Sequence, residues 1–304
     1  MRSKSELENA YAFCLNMATS HYENFPVASI LLPKKLRRPI AAIYAFARSA
    51  DDFADEGDIS QAERLARLNE YSVLLRLIET GEYTGDDPIF IALQNTIQLF
   101  SLPVQLLEDL LIAFRQDVVK SRYANFEEVL DYCHYSANPV GRLVLHLEGS
   151  PNQSQLEQSD AICTALQLIN FYQDIEQDYL EKNRIYLPQD YLKAAGIDDS
   201  QLLAGDTQKL SMVLRPLYQY TLQLMQEGYQ LGMTLTGLLG WEIRAMTLGG
   251  IETLSLLIQQ SDHALLSRPR LSKSQHLMVL TNALSKHRYH ALASKLLQEK
   301  HLHH

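Results

Sequence analysis

Apolar residues in this chain recur every three to four positions over most of its length, while alternating β-branched runs are scarce. Side chains three and four apart share one face of an α-helix, so this spacing calls for helices that bury one side and leaves little room for sheet. The pattern is clearest over 61–79, 103–119, 160–181, 208–231 and 272–298. Breakers fall between these segments: Gly57, GEYTGDDP (81–88), Pro103, EGSPNQS (148–154) and RPR (268–270). Ser159 followed by Asp160 reads as the N-cap of a long helix, and Asp206 followed by Thr207 as another. No internal repeat or low-complexity linker divides the chain. With 304 residues, 46% of them apolar, a substantial core can be buried. The expectation is one all-α domain over 1–304, a bundle of about ten or more helices.

Charge and cysteine usage narrow the function. Acidic residues number 36 against 27 basic ones, a net charge of −9. A nucleic-acid surface needs the opposite sign, and the densest basic stretch is the four cations of PKKLRRP (33–39). Cys14, Cys133 and Cys163 are too widely spaced for a CxxC site or a disulfide framework, which suits a reducing compartment. MRSKSELENAYAF at the N-terminus lacks the apolar run of a signal peptide. PIAAIYAFA (39–47) reaches about half the roughly 18 apolar residues of a membrane span. A soluble cytoplasmic protein is expected.

Two apolar helices carry acid where stability alone would not place it. IAAIYAFARSADDFADEGD (40–58) reads as a helix with Pro39 in its first turn and Gly57 as its stop. It ends in Asp51, Asp52, Asp55 and Glu56, two i,i+4 acidic pairs. Such pairs repel, and carboxylates at a helix C-terminus oppose the macrodipole, each by about 0.3–1 kcal/mol. Arg48, one turn earlier, offsets part of this. In DAICTALQLINFYQDIEQDYLEKNRIYLP (160–188), Asn170, Asp174 and Asp178 follow at i,i+4,i+8, with Gln167 and Gln173 on adjoining stripes.

Either acidic patch alone reads most simply as solvated surface. Together they suggest oxygen ligands for a hard divalent cation, since Mg²⁺ typically takes one or two carboxylates plus water and substrate phosphate. Other metal readings fail. No Glu precedes a histidine by three, as a di-iron bundle requires, and 51–58 lacks the ligand spacing of an EF-hand. Neither GxxxxGK nor GxGxxG is present.

At these residues the chain resembles the squalene/phytoene synthase family of head-to-head prenyl synthases, which have the all-α isoprenoid synthase fold around a central apolar cavity. The likeness runs from about residue 15 to 280. RSADDFAD (48–55) is similar to the family's first aspartate-rich motif. NFYQDIEQD (170–178), followed by RIYLP (184–188), is similar to the second, and YCHYSANPVG (132–141) to a tyrosine-to-glycine segment. The resemblance implies Mg²⁺ at Asp51, Asp55, Asn170, Asp174 and Asp178, with Asp52 beside them. It puts Tyr44, Arg48 and Arg268 on diphosphate, Tyr132 in the pocket, and His21 and Phe25 in an early His-x-x-x-Phe pattern. Without the motifs, His21 reads as a core or cap residue and the tyrosines as ordinary packing.

The departures from the family pattern concern cations. Glu23 and Asn24 stand where a lysine and a serine are frequent, Gln173 replaces an arginine, and a late tyrosine is missing from LGGIETL (248–254). The HYENFPVAS opening (21–29) and the NFYQD motif (170–174) most resemble the bacterial hydroxysqualene synthase branch of hopanoid biosynthesis. That branch implies a prenyl diphosphate substrate, presqualene diphosphate, attacked by water with Mg²⁺ and no NADPH. Tyr132, Asn138, Gln167 and Gln173 are the candidates for placing the water. Synthases that join two farnesyl diphosphates, and a non-catalytic paralogue, are the alternatives. Contact with a membrane surface or with neighbouring pathway enzymes is compatible with so apolar a product.

Overall fold

The structure, a computed structural model, describes residues 2–20, 33–203 and 206–299. His21, Glu23, Asn24 and Phe25 lie outside the described residues. The architecture is all-α: among the described residues there are fifteen α-helices and one two-stranded ribbon. The chain divides into two compact units, Met1–Lys120 with Asn138–Asn152, and Ser121–Ala137 with the remainder from Gln153.

The first unit holds α1 (Lys4–Ser20), α2 (Lys34–Asp55), α3 (Gln61–Glu79), α4 (Pro88–Phe100), α5 (Gln105–Val119) and α7 (Asn138–Glu148), with α2 packed against all the others. An aromatic cluster fixes its centre. Tyr71 stacks on Phe46 at 5.5 Å and meets Phe90 edge-on at 4.7 Å, an arrangement the ring quadrupoles favour. Helix starts follow sequence chemistry. Ser60 accepts from the Glu63 amide, and Asp87 accepts from the Ile89 amide with Pro88 in the first turn. α2 begins six residues earlier than the 40–58 reading, after Pro33, so Pro39 is a buried interior residue and not a first-turn one. Gly57, at φ +80°, does stop the helix.

The second unit holds α6 (Phe126–Ser136), α8 (Gln153–Gln173), α9 (Ile175–Lys182), α10 (Gln189–Ala194), α11 (Thr207–Gly228), α12 (Leu231–Thr234), α13 (Gly237–Gln259), α14 (Lys273–Ala283) and α15 (Lys286–Glu299). Strands β1 (Arg122–Tyr123) and β2 (Ile185–Pro188) pair in parallel within it. α8 packs on α11 and α13. Glycines permit the close approach: a Cβ on Gly228 would lie 2.8 Å from the Gln158 carbonyl, and one on Gly250 would lie 2.6 Å from Leu166. Gln155 also bonds Thr234 of α12.

Three further boundaries, in the second unit, differ from expectation. α8 begins at Gln153, and Ser159 is a buried mid-helix residue, 3% exposed, instead of a cap. The long acidic helix breaks at Asp174 (φ −109°, ψ 18°) into α8 and α9. The 272–298 segment is two helices, α14 and α15. Asp206 caps α11 as read, accepting from the Gln208 amide.

Candidate active site

On α2 the candidate residues share one stripe. Tyr44, Arg48, Asp51, Asp52 and Asp55 are all half-buried, whereas Ile40 to Ile43, Ala45, Phe46, Ala50 and Ala54 are buried in the core. The apolar pattern therefore leaves this stripe partly open, along with Ala47, Ser49 and Phe53. Arg48 lies in the middle of its acids, 2.8 Å from Asp52, 2.8 Å from Glu56 and 3.8 Å from Asp51. A second cation, which the sequence reading did not include, relieves the helix end. Arg64 donates from α3 to the carbonyls of Phe53 (3.0 Å), Glu56 (2.9 Å) and Gly57 (2.7 Å). Guanidinium capping of these carbonyls opposes the dipole penalty that the acids incur. The signal for it was one arginine early in the next helix.

The other row stands on α8 and α9. Gln167, Asn170, Gln173, Asp174 and Asp178 are half-buried among buried neighbours. The break at Asp174 does not scatter them. The Asp174 amide still donates to Asn170 (3.0 Å), and the Asp178 amide to Asp174 (2.8 Å). Burial, together with the charge of Asp174, pushes the Asp178 carboxyl up to about 6 against partial relief from Lys182 and Arg184. Burial also raises Asp174, and Arg268 opposes that shift. Arg184, from the RIYLP segment, is buried and belongs to this site although motif reading assigned it no role.

The late arginine reaches this row. Arg268 Nε lies 2.9 Å from Asp174 Oδ1. Its segment is held by two glutamine amides. Gln173 donates to the Pro269 carbonyl at 2.8 Å, and Gln260, at the end of α13, donates to the Ser267 carbonyl at 2.8 Å. One amide N–H of Gln173 is thus engaged in positioning the segment that carries Arg268. Tyr132 is buried in an aromatic cluster with Tyr123, Phe171 and Tyr186, and Phe171 stacks on Tyr186 at 3.8 Å. Asn138 is buried at the start of α7.

The donor set suits a hard cation only in part. Among the described residues no three His, Cys, Asp or Glu side chains converge closely enough to hold a metal by themselves. The raised Asp174 and Asp178 are the fitting feature, because a divalent cation removes the repulsion and desolvation that lift them.

The family model for squalene/phytoene synthase matches residues 18–275. The chain belongs to the squalene/phytoene synthase family. It is 44% identical to a hydroxysqualene synthase of Zymomonas mobilis, over 57% of this chain and 57% of that protein's length. It is 38% identical to a hydroxysqualene synthase of Rhodopseudomonas palustris, over 75% and 74%. Among solved structures, squalene synthase HpnC from Alicyclobacillus acidocaldarius superposes with a TM-score of 0.76 at 36% identity, covering 84% of this chain and 95% of that one. The chain thus spans little more than half the length of the Zymomonas relative it matches.

Proposed function

We propose that this protein is a Mg²⁺-dependent hydroxysqualene synthase that converts presqualene diphosphate and water to hydroxysqualene and diphosphate. The observation that carries the reading is the half-buried Asn170–Asp174–Asp178 row with Arg268 delivered to it, in a chain similar to named hydroxysqualene synthases. In the reaction the carbon–oxygen bond to diphosphate breaks, a carbon–oxygen bond to water forms, and the water loses a proton. Mg²⁺ would be held by Asp51 and Asp55 on α2 and by Asn170, Asp174 and Asp178, with Asp52 beside them. When bound, it stabilises negative charge on the departing diphosphate. Arg48 among the α2 acids and Arg268 beside Asp174 are the cations that each row would offer to diphosphate, and Tyr44 would offer a hydroxyl. Aromatic faces such as Tyr132 stabilise a carbocation by about 0.5–2 kcal/mol each. Tyr132, Asn138, Gln167 and Gln173 are the candidates to place water.

The name of the Alicyclobacillus structure favours a second reading, a squalene synthase. Purified protein given presqualene diphosphate, with and without NADPH, separates the two. Hydroxysqualene without NADPH supports the proposal. Squalene formed only with NADPH, or rapid conversion of farnesyl diphosphate to presqualene diphosphate, rejects it. Ligand and Mg²⁺ binding with no diphosphate release would indicate a non-catalytic paralogue. Asp51→Asn and Asp174→Asn should each cut turnover by roughly 10²-fold or more while the variants stay folded.

A further inference from the structure

The last two helices of the second unit differ in charge from the rest of the molecule. Between Asp262 and Glu299 the sequence contains no acidic residue, in a chain with 36 acids and a net charge of −9. Over the same stretch stand six lysines and arginines: Arg268, Arg270, Lys273, Lys286, Arg288 and Lys295. Some of these have structural duties. Arg268 pairs with Asp174, and Lys286 donates to the Met233 carbonyl at 2.5 Å. Arg270, Lys273 and Arg288 are exposed.

Between these cations lies an apolar stripe. Leu277, Leu280 and Leu284, at i,i+3,i+7, are 63%, 43% and 69% exposed. Helical spacing puts them on one face, turned away from the buried Val279 and Ala283 by about a third of a turn. Trp241, the chain's single tryptophan, flanks the stripe with its indole N–H on the Leu280 carbonyl at 3.3 Å, and Leu238, about one turn earlier on α13, is 46% exposed. Three leucines on one face, a tryptophan at the edge and cations at both ends form the pattern of a helix that lies in a bilayer interface.

We propose that the α14–α15 face docks on an anionic phospholipid bilayer, with Leu277, Leu280 and Leu284 in the acyl boundary and Arg270, Lys273 and Arg288 on lipid phosphates. Charge complementarity selects this occupant: the local positive field attracts an anionic surface, while the remaining acidic surface is repelled and keeps the orientation fixed. The inference rests on this surface alone and stands whether or not the proposed reaction is correct.

Trp241 is the reporter. Adding vesicles of phosphatidylcholine with phosphatidylglycerol to the full chain should shift its emission to the blue and carry the protein up in a flotation gradient. Raising salt, which shortens the screening length, should reverse most of the binding. Leu277→Ser with Leu280→Ser and Leu284→Ser should reduce partitioning by about tenfold or more. Lys273→Glu with Arg288→Glu should reduce it similarly, with unchanged circular dichroism because all five side chains are exposed. Equal binding to pure phosphatidylcholine, unchanged binding by both variants, or no binding overturns the proposal. So does a dimer in solution that the leucine substitutions dissociate, since a second copy would then cover the face.

Discussion

A buried carboxyl group without a partner stays protonated to a higher pH than the same group in water, and Glu242 is the clearest instance here. It is 4% exposed on α13, neither carboxyl oxygen has a hydrogen-bond partner, and burial raises its pKa to about 7. The folded state therefore binds more protons than the unfolded chain between about pH 4.5 and 7. Stability from this group is complete below the unfolded pKa and declines as pH rises through the folded one. The loss is on the order of 3 kcal/mol by pH 8. Glu242→Gln should abolish that slope, so urea unfolding at pH 5 and pH 8 should show the variant gaining on the wild type only at the higher pH. Arg244, two residues on, shows the contrasting solution. It is buried but donates to the carbonyls of Ala283 and Gly232. Residue identity alone did not separate the two cases, because a buried charge and a solvated one are spelled the same way.

At the scale of elements, local chemistry set most boundaries and packing overrode it at a few. The caps at Ser60 and Asp206 and the stop at Gly57 could be read directly, since each satisfies or frees backbone groups within a few residues. Ser159 looked equally like a cap, yet it is buried in the middle of α8, where helix contacts outweigh its local preference. Pro39 sits inside α2 because Pro33 starts that helix a turn and a half earlier. The close packing of α8, α11 and α13 rests on glycines that carry no apolar signal. Gly228→Ala would drive a methyl toward the Gln158 carbonyl, and backbone cannot move aside as a side-chain tip can. It should cost about 1–3 kcal/mol, measured as a lowered denaturation midpoint. Gly249→Ala, whose methyl would meet nothing within 4 Å, should cost almost nothing.

The whole molecule separates holding the fold from serving the site. Each unit has its own apolar and aromatic core, and the acids sit on half-open stripes outside those cores. Removing divalent cations with a chelator should therefore abolish diphosphate release and leave the thermal midpoint nearly unchanged. Unfolding on chelation would instead make the acids structural. No helix among the described residues is long and apolar enough to cross a membrane. The interfacial face on α14 and α15 provides another route to an apolar phase, and it became visible only when exposure was known.

The sequence alone determined the all-α class, the family, and the two rows of carboxylate and amide side chains, because each depends on spacing along one helix or on a contiguous motif. Tertiary structure alone decided which charges meet. Arg64 caps α2, Gln173 and Gln260 fix the segment that brings Arg268 to Asp174, Glu242 loses every partner, and three leucines are left bare on α14. The physical reason is range. Helix periodicity and capping act over a few residues of chain, whereas desolvation and ion pairing depend on neighbours far along it, as Pro269 is from Gln173, 96 residues away.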